Sequence, residues 1–182
     1  GSNFVSMVKW RSEAANQGVD VPIWECTIAC YTPQFIEEAG DAAEGTYMAV
    51  FSVPFEEADT NPELQAYVDA VSTPEAFGLN SWAAGVMLEE VVNAIVAEEG
   101  PNAITRAKVM QGLADLHDFD ARGMLGTLDV GNRTASGCYV LLQVQDGKFV
   151  RVHPSERGTL DCTDTNVVQI TLDAAAEAEK LG

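Results

Sequence analysis

The chain has 182 residues, of which 47% are hydrophobic and 21% charged. This length and composition are typical of one soluble globular domain, or of two small lobes, with a real core. Its 10 basic and 28 acidic residues give a net charge of −18. A surface this acidic repels phosphate backbones and anionic lipid headgroups. We therefore expect no nucleic-acid partner and no basic membrane-surface role.

Neither a membrane span nor a leader peptide is evident in the sequence. A spanning helix needs about 20 predominantly apolar residues, and the most apolar region, 81–96, is interrupted by Glu89, Glu90 and Asn93. The first ten residues lack the basic start and the long apolar run of a signal peptide. This leaves two expectations: either secretion is not relevant, or the beginning of the gene product is missing.

Taken in chain order, hydrophobic periodicity and capping residues predict a series of helices. Gly18 is a natural stop for the first helix, Thr32 and Pro33 start the second, and Asn61 caps the third. The tail, 172–182, reads as a short polar helix or a frayed end. The other predicted helices cover 3–17, 32–40, 60–72, 74–100 and 105–116.

Two strands and a hairpin are predicted between and after these helices. Residues 19–24 resemble a short strand with Pro22 near its start, and 45–55 is rich in β-branched and aromatic residues. Later, Asp146-Gly147 separates two apolar stretches and predicts a tight two-residue hairpin. The alternation of helices and strands, followed by a hairpin, predicts α/β layers around a partly parallel sheet.

Four cysteines form two sets, Cys26 with Cys30 and Cys138 with Cys162. An even number suggests disulfides and an oxidising compartment, but four cysteines allow three connectivities. Four buried thiols are the alternative.

The sequence offers few catalytic candidates. Cys26 and Cys30 do not form a CxxC motif, and no further cysteine or histidine ligands for zinc lie nearby. His117 lies in "HDFD", which could be a metal cluster but is more typical of a loop after a helix, and His153 has the setting of a surface residue at a strand end. No glycine-rich phosphate loop occurs. We expect no enzyme and no cofactor.

Three stretches in order resemble a known family. They are 39–71, which begins "AGDAAEG" and ends "NPELQAYVDAV", then "FGLNSWAAGVMLEEVVNAI", then 117–152, which begins "HDFDARGMLG". Their order and spacing are similar to the C-terminal half of type I periplasmic binding proteins of the leucine/isoleucine/valine-binding branch. Members of that family are much longer. The resemblance therefore implies a fragment whose N-terminal half, with a large part of the ligand site, is absent.

The resemblance implies an α/β, type I periplasmic binding protein fold with two lobes and a ligand cleft. Residues 1–72 would belong to the C-terminal lobe, and 73–123 would cross to pack on the N-terminal lobe. Residues 124–162 would return as hinge strands and a hairpin, and 163–182 would form the tail.

By resemblance, the ligand site includes the end of the strand predicted over 19–24. A carboxylate there holds the substrate ammonium in amino-acid-binding relatives; here that position is Glu25 or, in a gap-free alignment, Thr27. Asn3 stands where relatives have a tyrosine, and Phe77 matches an aromatic residue that lines the side-chain pocket.

Two aromatic residues near Glu25, Trp24 and Tyr31, are further candidates for ligand contact, with plain packing as the alternative. On this interpretation Cys26 and Cys30 form a local disulfide that shapes the loop. It would contribute geometry more than stability, because it closes a very short loop.

The resemblance also implies partners and a location. We expect a small-molecule ligand (an amino acid or an aromatic or organic acid), the membrane permease of an ABC importer, and the missing N-terminal half. The location would be periplasmic or extracellular, with a lipid anchor on the absent N-terminus as a further expectation. Two alternatives remain, a cytoplasmic ligand-sensing regulator of the same fold and a hydrolase that depends on Cys26 or His117.

Overall fold

The computed structural model describes residues 3–168, and the predicted tail helix lies outside this range. Within it, helices and strands alternate before a closing hairpin, as predicted. In chain order the elements are α1 (Phe4–Asn16), β1 (Trp24–Cys26), α2 (Pro33–Ala39), β2 (Thr46–Val50), α3 (Pro62–Ala70), α4 (Ala76–Glu99), α5 (Arg106–Ala114), β3 (Val140–Gln145) and β4 (Lys148–His153).

The four strands form one mixed sheet in the order β1-β2-β3-β4. β1 and β2 are parallel, whereas the β2–β3 and β3–β4 pairs are antiparallel. The register places Cys26, Met48 and Leu142 side by side on a buried face. Glu25 and Tyr47 are also paired, and because strand side chains alternate they occupy the opposite, more exposed face. The predicted α/β class with a partly parallel sheet is confirmed.

Two hydrophobic clusters make up the core. The first joins α1, α2 and the buried sheet face, and the second joins α3 and α4 to the segment before β3. Phe55 and Leu160 pack against both clusters. The second cluster includes Leu64 and Tyr67 of α3, a helix that the sequence interpretation grouped with the C-terminal lobe. The division into lobes stays a prediction.

The helix starts follow the capping chemistry that the sequence predicts. Asn61 caps α3 by accepting a hydrogen bond from the backbone N–H of Leu64 at 2.9 Å, and Pro62 occupies the first helical position. Thr32 and Pro33 occupy the corresponding positions at the start of α2, but the Thr32 side chain makes no capping hydrogen bond, so only the proline part of the start is the same.

The hairpin between β3 and β4 is also confirmed. Asp146 has φ 50° and Gly147 has φ 68°, and two consecutive positive φ values define a type I′ turn. The backbone N–H groups of both turn residues donate to the carboxylate of Glu44, at 3.0 and 2.6 Å.

The strand predicted over 19–24 is wrong for most of its length. β1 pairs with β2 only from Trp24 to Cys26, and Val19, Val21 and Ile23 are 38–67% exposed. Pro22 lies in this stretch and has no N–H to donate to a ladder. Among the described residues, no neighbouring strand pairs with 19–23, so the valines and the isoleucine form no strand there despite their β propensity.

The second predicted strand, 45–55, is shorter than expected. β2 ends at Val50, where the chain leaves the sheet: Phe51 is 53% exposed and Ser52 forms an isolated antiparallel bridge to Leu125. Apolar composition alone does not reveal where pairing stops, because the stretch remains buried at Val53 in the second cluster.

A buried ion pair fastens the segment after β2 to β4. The Arg151 guanidinium donates from Nε and Nη2 to the two carboxylate oxygens of Glu57 at 2.6 and 2.5 Å, and the two side chains are 8% and 6% exposed. Arg151 Nη1 also donates to the carbonyl oxygens of Pro154 and Thr159, and Glu57 accepts from Gly158 N–H at 2.7 Å. Burial alone would raise the pKa of Glu57, but these hydrogen bonds outweigh it and lower the pKa.

The two histidines lie where the sequence predicts them. His117 follows α5 in a loop, and its Nδ1 lies 2.7 Å from Asp129 Oδ1. His153 ends β4 with a half-exposed side chain, 2.7 Å from Asp161. The hydrogen bond to Asp129 raises the pKa of His117. Hydrogen bonds from the Asn132 backbone and then from His117 lower the pKa of Asp129 to about 2.

We predict that Arg151→Met strongly destabilises the protein, because it leaves the Glu57 carboxylate buried without its partner. Breaking a buried pair in this way costs about 3–5 kcal/mol. We expect a loss of this size in the free energy of unfolding, measured by urea denaturation. The matched control is Arg157→Met, which removes an ion pair to Asp59 whose side chains are 55% and 65% exposed. Such a pair contributes about 0–1 kcal/mol. Equal losses in the two variants would contradict the role given to Arg151.

The His117–Asp129 contact predicts a pH dependence with a definite sign. Because folding raises the pKa of His117, the contact stabilises the fold fully below the unfolded pKa of 6.5 and the benefit is lost as pH rises through the folded value. In an NMR titration, the His117 pKa should lie above 6.5 and fall toward it in Asp129→Asn. An unchanged His117 pKa in that variant would show that Asp129 is not the cause.

Candidate functional site

The turn that follows β1 holds the predicted ligand contacts in a fixed conformation. Thr27 begins a short 3₁₀ turn, Ile28–Cys30, and its side chain accepts a hydrogen bond from Ala29 N–H at 3.4 Å. A disulfide joins Cys26 at the strand end to Cys30 at the turn end, and both cysteines are buried. The backbone that carries Thr27 is therefore anchored on both sides.

Three elements meet at this turn, which contacts α1, β2 and α4. Met7 of α1 and Ala76 of α4 belong to the same buried cluster as Cys26 and Cys30. Asn3 immediately precedes α1, and Phe77 immediately follows Ala76. The turn thus contacts two helices, one of which begins directly after Asn3 and the other of which carries Phe77 in its first turn.

Glu25 and Thr27 are both exposed, but they differ in position. Glu25 is the middle residue of β1, on the more exposed sheet face beside Tyr47. Thr27 lies beyond the last paired residue of the strand. Within residues 3–168, no side chain forms a hydrogen bond or ion pair with the Glu25 carboxylate, so that carboxylate is open to solvent.

The Asn3 side chain is engaged in a helix cap, whereas the Phe77 side chain is exposed. The Asn3 side chain caps α1, accepting from the backbone N–H and the hydroxyl of Ser6, both at 3.1 Å. Phe77 is 58% exposed in the first turn of α4. The carboxylate of Glu75 caps that turn by accepting from the N–H groups of Phe77 and Gly78. The Phe77 ring is therefore exposed, while the backbone N–H of Phe77 already has an acceptor in Glu75.

The two flanking aromatic residues make packing contacts. Trp24 is half-buried, with the Arg11 guanidinium 4.8 Å from its ring centroid. Tyr31 is 1% exposed; its hydroxyl donates to Glu56 Oε2 at 2.6 Å and accepts from Phe55 N–H at 2.7 Å. Burial, followed by the charge of Glu56, raises the pKa of Tyr31 well above 10. A buried hydroxyl with two partners has little left to offer a ligand at the end of β1.

Sequence reasoning missed the cap of α4 and the pocket beside Tyr31. Glu75 had a detectable signal, since a carboxylate directly before an apolar helical pattern can accept from the first N–H groups. The pocket had none, because its walls come from five separate places in the chain: Tyr31–Pro33, Phe55–Glu56, Val68, Pro74 and Phe149.

The described part of the chain has neither a metal cluster nor a membrane-spanning helix. Residues 3–168 contain no group of three or more histidine, cysteine, aspartate or glutamate side chains placed to hold a metal ion. In the same range, no helix is long and apolar enough to cross a membrane.

The four cysteines form two disulfides, Cys26–Cys30 and Cys138–Cys162. The second closes the segment that contains the β3–β4 hairpin, and an antiparallel bridge between Tyr139 and Asp161 lies just inside it. The alternative of four buried thiols is wrong in this structure.

Similar folds occur among solved structures. An extracellular ligand-binding receptor from Rhodopseudomonas palustris HaA2 is 21% identical, with a TM-score of 0.64 over 84% of this chain and 46% of that one. A branched chain amino acid ABC transporter protein from Thermus thermophilus, solved with bound valine, is 17% identical, with a TM-score of 0.65 over 88% and 44%. A leucine binding protein from Thermotoga maritima is 15% identical, with a TM-score of 0.64 over 83% and 42%.

These likenesses show the type I periplasmic binding protein fold, and the chain spans less than half the length of the proteins it resembles. No curated protein matches the sequence. The sequence model of one family, described as periplasmic binding protein, matches residues 1–148. Because that match covers most of the 182 residues, the chain belongs to the periplasmic binding protein family.

Proposed function

We propose that the chain is part of the solute-binding component of an ABC-type importer, and that it binds an amino acid or a related small molecule in a cleft between two lobes. Family membership supports a binding role. Two of the similar structures are a leucine binding protein and a branched chain amino acid transporter protein with bound valine. Since the chain spans under half of those proteins, the ligand, the permease and the second half of the site are all parts of the proposal.

The observation that carries this proposal is the disulfide-anchored turn at the carboxyl end of β1. In open α/β sheets, ligands bind outside the carboxyl ends of strands. Thr27 lies there, exposed, and the turn contacts the helices that start beside Asn3 and Phe77. A polar group on a rigid turn, and an exposed aromatic ring on a helix that contacts this turn, suit a ligand with a polar head and an apolar side chain.

Of the two candidates for the polar contact, position favours Thr27. Its side chain lies beyond the paired part of β1, whereas Glu25 sits within the strand on the more exposed sheet face. Glu25 nevertheless remains a candidate for a ligand ammonium, because its carboxylate is exposed and a charge-assisted bond in a closed cleft is about twice as strong as a neutral one.

The mechanism would be cleft closure. A ligand that touches both lobes favours the closed form, because closure adds contacts that the open form lacks. The membrane permease would recognise that form. On this chain's side, the disulfide keeps the turn from rearranging, so that Thr27 meets the ligand without a further ordering cost.

The two disulfides bear on location and on the alternatives. Disulfides persist in oxidising compartments, which supports a periplasmic or extracellular location over a cytoplasmic regulator. A hydrolase built on Cys26 needs a thiolate nucleophile, and Cys26 is bonded to Cys30. His117, the other residue of that alternative, pairs with Asp129.

We predict that the whole protein gains thermal stability from a member of a panel of branched-chain and aromatic amino acids, aromatic acids and small amides. A ligand at about 100 times its Kd stabilises the folded state by about 2.7 kcal/mol. In calorimetry with the hit, Thr27→Val should weaken binding by roughly tenfold or more if its hydroxyl meets a charged ligand group. Thr27→Ser, which keeps the hydroxyl, should bind like the original.

Glu25→Gln in the same calorimetry separates the two candidates. If the carboxylate holds an ammonium, the variant loses affinity while Thr27→Val changes it little, and the opposite pattern assigns the contact to Thr27. Glu37→Gln, at an exposed residue of α2, is the matched control for a lost surface charge. Unchanged affinity in both Glu25→Gln and Thr27→Val would place the ligand elsewhere and overturn the proposed site.

A separate prediction concerns the compartment. When the protein is prepared from its native location under thiol-blocking conditions, we expect no free thiols at Cys26, Cys30, Cys138 or Cys162. Mass spectrometry of a nonreduced digest should recover the pairs 26–30 and 138–162. Four blocked thiols would instead favour the cytoplasmic regulator, and labelling of Cys26 alone would favour a nucleophile.

A further inference from the structure

A depression begins at Tyr31, the residue that ends the turn after β1, and lies at the junction of the two hydrophobic clusters. Its volume is about 260 Å³. One side is formed by the start of α2 and by Phe149 of β4, and the other by α3 and the residues just before α4. None of Asn3, Glu25, Thr27 or Phe77 lines it. We call it the aromatic pocket.

The walls of the aromatic pocket are almost entirely apolar. Phe55 stacks on Tyr31 with ring centroids 4.5 Å apart, and Phe149 meets Tyr31 edge-on at 5.0 Å. Phe55 and Phe149 are only partly buried, so these two rings present surface to the pocket. The remaining apolar lining residues are Pro33, Val68 and Pro74.

Among the described residues, Glu56 is the one charged residue that lines the aromatic pocket. Its Oε2 accepts the hydrogen bond from the Tyr31 hydroxyl at 2.6 Å. Within residues 3–168, no lysine, arginine or histidine side chain forms an ion pair with this carboxylate. Its neighbour Glu57 is different, because Arg151 neutralises it at 2.5 Å. Although Glu56 is exposed as a residue, its carboxylate lies against buried Tyr31, and the loss of solvation raises its pKa.

From this arrangement we propose that the aromatic pocket is a second binding site, for a small ammonium cation attached to an aromatic ring or a short apolar group. The carboxylate of Glu56 would accept from the ammonium, whose charge is also attracted by the faces of Phe55 and Phe149. An anion of the same size would meet only Glu56 and the negative field of a chain with a net charge of −18.

The size of the aromatic pocket limits the ligand. Pockets that hold drug-sized ligands have volumes of about 300–1,000 Å³, and the aromatic pocket, at about 260 Å³, is smaller than these. We therefore expect a fragment such as benzylammonium. It would touch residues that pack with both hydrophobic clusters, since Phe55 belongs to the boundary of each.

The test uses three probes of nearly equal shape and different charge: benzylammonium, benzyl alcohol and benzoate. Each is titrated at pH 7 into the ¹⁵N-labelled whole protein. Benzylammonium should shift the amide signals of Tyr31, Phe55 and Phe149 in a saturable way. It should bind about five- to tenfold more tightly than benzyl alcohol, the combined effect of the carboxylate and the ring faces. Benzoate should bind most weakly.

Glu56→Gln keeps an acceptor for Tyr31 and removes the charge, so it should abolish the preference for benzylammonium over benzyl alcohol. Glu37→Gln, which removes an equivalent exposed charge on α2, should leave the preference intact. Val68→Phe should block all three probes by filling the pocket. No saturable shifts with benzylammonium, equal affinity for the cation and the alcohol, or a preference that survives Glu56→Gln would each overturn the proposal.

The outcome is independent of the transport proposal. A ligand found in the cleft screen should bind Glu56→Gln with unchanged affinity, because none of Asn3, Glu25, Thr27 or Phe77 lines the aromatic pocket. Loss of the cleft ligand in Glu56→Gln would show that the aromatic pocket and the proposed cleft are one site, and would overturn the assignment of a second site.

Discussion

The bidentate pair between Glu57 and Arg151 is the constraint on which the arrangement of the two hydrophobic clusters depends. Glu57 follows the point where the chain leaves the sheet, and Arg151 lies on the last strand, 94 residues later. Pro154 and Thr159 accept further hydrogen bonds from Arg151, and Gly158 donates one to Glu57. A buried pair is weak evidence for a net gain in stability, but the loss of one partner is costly. The pair joins chain segments close to Phe55 and Leu160, the residues that pack against both clusters.

The disulfide between Cys26 and Cys30 has a different role. It closes a very short loop, so it removes little entropy from the unfolded chain, and it lies next to exposed polar residues. Its effect is local: it holds the turn that carries Thr27 against α1 and α4. The disulfide thus restrains the turn proposed to meet the ligand. The ion pair restrains the segment after β2 and strand β4. Rigid support behind an exposed contact lowers the cost of binding.

Much of the fold follows from local sequence chemistry, and the exceptions have physical causes. Asp146-Gly147 specifies its hairpin, because the turn needs a positive φ at two consecutive residues and few residue types adopt one. Asn61-Pro62 likewise specifies a helix start. The strand expected over 19–24 depends on a pairing partner, which local sequence does not reveal. Tyr31 was a candidate ligand contact, and its place in the core depends on Phe55 and Phe149, which are distant in sequence. The pair of Glu57 with Arg151 is equally nonlocal.

The adjacent carboxylates of Glu56 and Glu57 show why a site is harder to read from sequence than a fold. Both are in one short 3₁₀ segment, and nothing local distinguishes them. Arg151 and Gly158 satisfy Glu57, so that hydrogen bonds outweigh burial and its pKa falls. Burial raises the pKa of Glu56. Among residues 3–168 its carboxylate forms no ion pair, and the nearby Arg157 donates to the Glu56 backbone carbonyl instead. A buried carboxylate in an ion pair holds structure together, whereas one at a pocket wall without an ion pair attracts a cationic ligand. The difference arises entirely from which distant residues fold against each one.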